Sequence, residues 1–149
     1  MYTLANLKKL REETGVSYDL CKKALDETQD DIPKATKLLQ KWGASVAENK
    51  LTRKTGQGAI FSYVHHNRKL ASLVTLLCET DFVAKNSDFM SLGNDLAMQT
   101  ASINPKDEKE LLESIYIKDQ TKTVDSLLKE NILKIGENIK IGQFVTFKL

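Results

Sequence analysis

The chain has 149 residues, 41% of them hydrophobic and 28% charged, which is the composition of an ordinary globular protein able to bury a core without staples. Its 22 basic and 20 acidic residues are mixed along the chain and leave a net charge of +2, which argues against nucleic acid as the main partner, because phosphate binding needs a basic surplus on one face. No window approaches the roughly 18 apolar residues of a bilayer span, the first residues lack a signal peptide's apolar core, and Cys21 and Cys78 are far apart without zinc or redox spacing; no membrane role is expected, and the expected compartment is the cytoplasm.

Leu4, Leu7 and Leu10 fall at helical spacing and predict a first helix over 3–12, closed by Thr14-Gly15. Ser17 caps a second helix, with Leu20, Cys21, Ala24 and Leu25 on one stripe. Gln29-Asp30-Asp31 breaks that helix and caps a third, with Pro33 in its first turn and Gly43 as its stop. Ile32, Ala35, Leu38, Leu39 and Trp42 form its inner face. Residues 1–43 thus read as a three-helix bundle, marginal alone and more suited to recognition than to catalysis. Residues 44–58 read as a linker: a helical extension from Ala44 to Leu51, then a flexible stretch from Thr52 to Gly58.

Residues 59–149 read as an α+β core. Ala59–His66 and Lys69–Glu79 form a hairpin turning at Asn67-Arg68. Both strands carry apolar groups on both sides, so one face packs on helices and the other is covered or lies in an interface. A junction follows, Thr80-Asp81-Phe82-Val83-Ala84-Lys85-Asn86, before a helix that Ser87 caps. Phe82 there has two readings: it folds back over the end of the core, or it projects as an anchor with Asp81 beside it. Helices over 87–103, 107–114 and 123–135 come next, closed by Asn104-Pro105 and, after the last, Gly136. A strand over 139–149, bulged at Gly142-Gln143, completes a three-stranded antiparallel sheet packed with helices.

The best candidate for covalent chemistry is Cys78 with His65 or His66 as base. The hairpin register opposes it, since His65 and Cys78 lie about eight strand residues, or roughly 26 Å, apart. Adjacent histidines on a strand point to opposite faces and cannot share a metal. Glu79 and Asp81, two apart, read as solvated carboxylates at a strand end. No Gly-rich phosphate loop, H-E-x-x-H or G-x-S-x-G occurs. The expectation is a binding protein rather than an enzyme, with no catalytic residue, cofactor, metal or directly bound nucleotide.

Cys78-Glu79-Thr80-Asp81-Phe82-Val83-Ala84-Lys85-Asn86 resembles the signature of the elongation factor Ts family. Leu10-Arg11-Glu12-Glu13-Thr14-Gly15 and Cys21-Lys22-Lys23-Ala24-Leu25 resemble that family's N-terminal bundle, which is similar to ubiquitin-associated domains. His65-His66-Asn67 fits its hairpin, and Ile135-Gly136-Glu137-Asn138-Ile139 with Phe144-Val145 fits its C-terminal end. The resemblance implies nucleotide exchange on the GTPase elongation factor Tu. It implies that Thr80, Asp81, Phe82 and Val83 form the exchange element, with Phe82 wedging near the bound nucleotide, and that Arg11, Tyr18 and Lys22 belong to the docking bundle. The chain departs from the family pattern at Tyr18 and Asp19, where methionines are common, at Leu20, where an acid is usual, and at Arg68, where the hairpin usually has glycine. Longer members carry two core halves and a coiled-coil insertion, whereas this chain has room for one half, so two copies are expected to pair as a homodimer. Two other readings are a ubiquitin-associated-like peptide-binding module without exchange activity, and a ribosome-associated protein touching RNA through Lys50, Arg53 and Lys54.

Overall fold

A computed structural model describes all residues, 1–149. Three helices come first: α1 (Leu4–Thr14), α2 (Tyr18–Glu27) and α3 (Ile32–Lys50). Their starts follow local chemistry. The side chains of Thr3, Ser17 and Asp31 accept from the backbone N–H groups of Asn6, Leu20 and Lys34, satisfying donors that the helices leave free. Gly15 closes α1 at φ 67°, a left-handed conformation in which a side chain is strained. The bundle's core is made by Leu7, Leu10, Val16, Cys21, Ala24, Leu25, Ala35 and Leu39. Leu4 departs from its expected place on that face; it is the first residue of the helix and is exposed.

The third helix does not stop at Gly43. It runs on unbroken to Lys50, so the helical extension expected from Ala44 to Leu51 is the same helix. Gly43 is buried because α7 (Val124–Ile135) crosses there, and a Cβ on it would stand 3.3 Å from the Lys129 carbonyl oxygen. The glycine's role is close approach of two helices rather than termination. Beyond the crossing, Ala47 joins the second core, and the Lys50 amine donates to the Gly136 carbonyl. One helix therefore belongs to both hydrophobic clusters and couples the bundle to the sheet domain.

The sheet has the order β1-β2-β3 and is antiparallel throughout, with β1 (Gln57–Val64), β2 (Leu70–Cys78) and β3 (Lys140–Lys148). Its register pairs Val64 with Ala71, Gln57 with Cys78, and Leu73 with Val145. The pairing shifts between Val74, which faces Phe144, and Leu76, which faces Ile141, so the expected bulge falls at Gly142-Gln143. Helix α5 (Ser87–Ile103) lies on one face, where Phe61, Val74 and Leu76 meet Phe89, Leu92 and Leu96. Full burial of a side chain such as Phe89 is worth roughly 2–3 kcal/mol. A short α6 (Glu108–Glu113) follows, capped by Asp107, and Gly136 ends α7 in the left-handed conformation. The other sheet face is uncovered: Ile60, Val64, Leu73, Val145 and Phe147 all stand exposed on it.

Two local expectations, on the α5 cap and on the histidine pair, do not hold. Asn86, not Ser87, caps α5, its side-chain Oδ1 accepting from the Asp88 and Phe89 N–H groups. The hairpin turn holds Arg68 at φ 60°, so the conformation usually given to glycine is kept although an arginine occupies it. His65 and His66 do not diverge: the strand ends at Val64, alternation ends with it, and their rings lie against each other with centroids 4.1 Å apart and planes tilted by 50°.

Candidate functional site

At the end of β2 the chain makes one further turn of helix, α4 (Asp81–Ala84), before α5 begins. Thr80 caps it, its hydroxyl oxygen accepting from the Val83 N–H at 3.3 Å. Ala84 is buried and Val83 half-buried against the core, so this side of the turn is pinned. Phe82 occupies the opposite side and is 89% exposed. Of its two readings, the one in which it folds over the core is excluded. Asp81 is also exposed and pairs with Lys85 one turn on, at 2.9 Å. That contact and its charge raise the lysine's pKa above its ordinary value.

The mount beneath this turn comes from the far end of the chain. Glu137, just past α7, accepts from the N–H of Glu79 at 3.1 Å and of Thr80 at 3.0 Å through one oxygen, and from the Thr80 hydroxyl at 2.7 Å through the other. In return, Glu79 accepts from the Asn138 N–H at 2.8 Å and pairs with Arg53 at 3.6 Å. The Asn138 side-chain amide donates to the Arg53 carbonyl oxygen at 3.0 Å. Sequence reasoning did not find these roles. The run Gly136-Glu137-Asn138 stood out in the sequence, but its partners lie 57 to 59 residues away.

The second group of expected residues lies on the bundle. Arg11 holds Gly15's turn by donating from Nε to the Val16 carbonyl at 3.1 Å, and its guanidinium sits over the Tyr18 ring at 4.4 Å from the centroid. Tyr18 is 47% exposed, and Lys22 reaches Asp19 at 4.0 Å. Arg11 and Tyr18 are thus brought together as one partly exposed cation–aromatic pair, with Lys22 on the next turn of α2. The exchange-signature residues form a separate group on the sheet domain's own hydrophobic cluster.

Cys78 lies under the signature turn, buried, its thiol donating to the Thr80 carbonyl oxygen at 3.2 Å. Burial, and then the nearby carboxylates of Glu137, Asp81 and Glu79, push its pKa up, which disfavours a thiolate. His65 follows β1 at the other end of the hairpin, since Cys78 pairs with Gln57. No three His, Cys, Asp or Glu side chains are grouped to hold a metal ion, and no helix is long and apolar enough to cross a membrane.

A large exposed aromatic on a rigid mount, with an acid next to it and a second polar–aromatic patch elsewhere, is the make-up of a protein that docks on another protein. A family described as Elongation factor TS matches residues 79–149, which begin at this signature. Elongation factor Ts of Thermosipho melanesiensis is 38% identical over 186 aligned positions, covering 95% of each chain. That of Fervidobacterium nodosum is 35% identical over 188 positions, with 96% of this chain and 95% of the relative covered. Elongation factor Ts of Clostridium novyi is 42% identical over 144 residues, which are 97% of this chain but only 47% of the relative. The chain belongs to the elongation factor Ts family. The 186 positions aligned with the Thermosipho protein outnumber the 149 residues here, so that relative carries interspersed residues with no counterpart in this chain.

Proposed function

We propose that this protein is a guanine-nucleotide exchange factor for the translation GTPase elongation factor Tu, promoting GDP release during polypeptide elongation. The observation that carries the reading is Phe82: an aromatic 89% exposed, held on a pinned turn within the signature Thr80-Asp81-Phe82-Val83. Exchange of this kind requires no nucleophile and no covalent step in the factor itself. It requires that the factor bind the nucleotide-free GTPase more tightly than the GDP-bound one, for then each ligand weakens the other by the same factor. Phe82 enters the partner near its nucleotide, with Asp81 as the polar contact beside it, and disturbs the Mg²⁺ and phosphate-binding loop. The bundle, in the manner of a ubiquitin-associated-like module, docks through Arg11, Tyr18 and Lys22. The cytoplasm, where translation takes place, is the proposed compartment.

The uncovered sheet face supports a second part of the reading. Ile60, Val64, Leu73, Val145 and Phe147 lie on one side of three adjacent strands, an apolar area of the sort that marks an interface. Two copies pair through it about a twofold axis, each presenting the same patch, and the homodimer offers two exchange elements.

The test is release of a fluorescent GDP analogue from purified elongation factor Tu. The intact protein, present at a small fraction of the GTPase concentration, is expected to turn over and accelerate release of the whole pool. Release at the spontaneous rate would return the chain to a binding module.

A further inference from the structure

We infer that Glu137 is the positioning residue that holds Phe82 in its presented orientation, acting through Thr80. The consequence for activity rests on the exchange reading above; the positioning itself rests on geometry alone. A threonine hydroxyl has one proton and two lone pairs. At Thr80 the proton goes to Glu137 at 2.7 Å, which leaves the oxygen's lone pairs for the Val83 N–H at 3.3 Å. Glu137 therefore sets which way the cap of α4 faces. Its second oxygen takes the Glu79 and Thr80 N–H groups, so one carboxylate receives three donors from the two residues that lead into the turn. The Glu79 carboxylate returns the contact to Asn138, and the two segments are laced in both directions.

The turn needs such a clamp. Four residues are far too few for a helix to persist by itself in water. The Phe82 ring, exposed as it is, makes no packing of its own that would fix it. Only Ala84 and Val83 anchor the turn, and they lie on its other side. With the clamp removed, the cap loses its orientation and the turn must be ordered at the moment of docking, which subtracts from the binding free energy. A carboxylate suits the task better than an amide. Glutamine would accept on one atom only and would set an NH2 against the Thr80 hydroxyl, whose proton would then lose the acceptor that orients the cap.

The experiment uses Glu137→Gln and Glu137→Ala in the full chain, with two readouts. In amide hydrogen exchange, the Thr80 and Val83 N–H groups are expected to exchange roughly tenfold faster or more, the range set by losing a hydrogen bond to a charged group. Amides of β2 that pair with β3 are expected to keep their protection. In titration of nucleotide-free elongation factor Tu, each variant is expected to bind about tenfold more weakly, and to add nothing to the loss caused by Phe82→Ala. Unchanged exchange at Thr80 and Val83 would overturn the clamp. Loosened amides with the same tenfold weakening in the Phe82→Ala background would place the effect of Glu137 elsewhere and also overturn the proposal. If the intact protein releases no GDP at all, the exchange reading fails, and the amide measurement still decides whether Glu137 holds the turn.

Discussion

The Phe61 ring fills the space where residue 93 would carry a side chain: a Cβ built on Gly93 meets ring atoms at 2.2, 2.3 and 2.4 Å. Strand β1 and helix α5 are in contact at that point, and Phe61 also packs edge-on against Phe89 with centroids 6.0 Å apart. Gly93→Ala must push the ring out of a filled core, and such overpacking costs about 1–3 kcal/mol. Denaturant unfolding is expected to show a loss of that size. Gly93→Ala with Phe61→Leu should recover part of it, because the smaller side chain vacates the space. A Gly93→Ala protein as stable as the parent would mean that β1 and α5 are not so close.

Asp81 and Lys85 make opposite predictions although they form one ion pair at 2.9 Å. Both are exposed, and exposed pairs one turn apart contribute little to stability. Thermal melting of Asp81→Asn and Lys85→Ala is expected to match the parent. In GDP release, Asp81→Asn is expected to be slower by about tenfold, the scale of a lost charged hydrogen bond to the partner. Lys85→Ala keeps the carboxylate and should change release by less than about twofold. Equal losses in the two variants would show that the pair, and not the acid, is what the partner meets.

Three buried acids give the fold an alkaline limit. Burial raises the pKa of Cys21 and Cys78 above their ordinary 9.0, and burial with the Asp95 carboxylate raises Tyr116 above 10.0. Each group holds its proton in the folded chain at a pH where the unfolded chain has released it. Stability is therefore full below about pH 9 and declines as pH rises through the ordinary values and beyond. Melting midpoints taken from pH 8 upward are expected to be level at first and then to fall. Cys21→Ala with Cys78→Ala should make the early part of that fall shallower. A midpoint constant to about pH 10.5 would contradict the burial of these groups.

What the sequence revealed, and what it did not, follows the range of the interactions concerned. Ser17 and Asp31 cap helices with bonds that span three residues, and Gly15 and Gly136 end helices by their own backbone preference, so these were legible. Gly43 carries the same local signal as Gly136 and means something else, because a helix from the far end of the chain lies against it. Arg68 shows the converse: its turn is imposed by the pairing of the strands on either side, and a residue that disfavours the conformation adopts it. At the signature, the residue types announced an exposed contact or a core cover and could not choose between them. The choice is made by the burial of Ala84, which turns Phe82 outward, and by Glu137, whose partners are distant in sequence.

The uncovered sheet face is tested by charge. Phe147 stands 65% exposed opposite Ala71, beside Leu73 and Val145. Phe147→Lys leaves the inner core untouched and sets like charges against each other across a twofold interface. Sedimentation at micromolar concentration is expected to give a dimer for the parent and a 16.8 kDa monomer for the variant, with unchanged circular dichroism. A parent that sediments as a monomer would remove the dimer from the account.

Whether Phe82 drives exchange is decided by the rate of release of a fluorescent GDP analogue from elongation factor Tu, with the intact protein and with Phe82→Ala. Phe82 contributes nothing to the core, so the variant folds and keeps the bundle's docking surface. Fast release is expected with the intact protein, and release near the spontaneous rate at saturating Phe82→Ala. Equal acceleration by the two proteins would contradict this, for exchange would then proceed without the residue that the fold holds out to the partner.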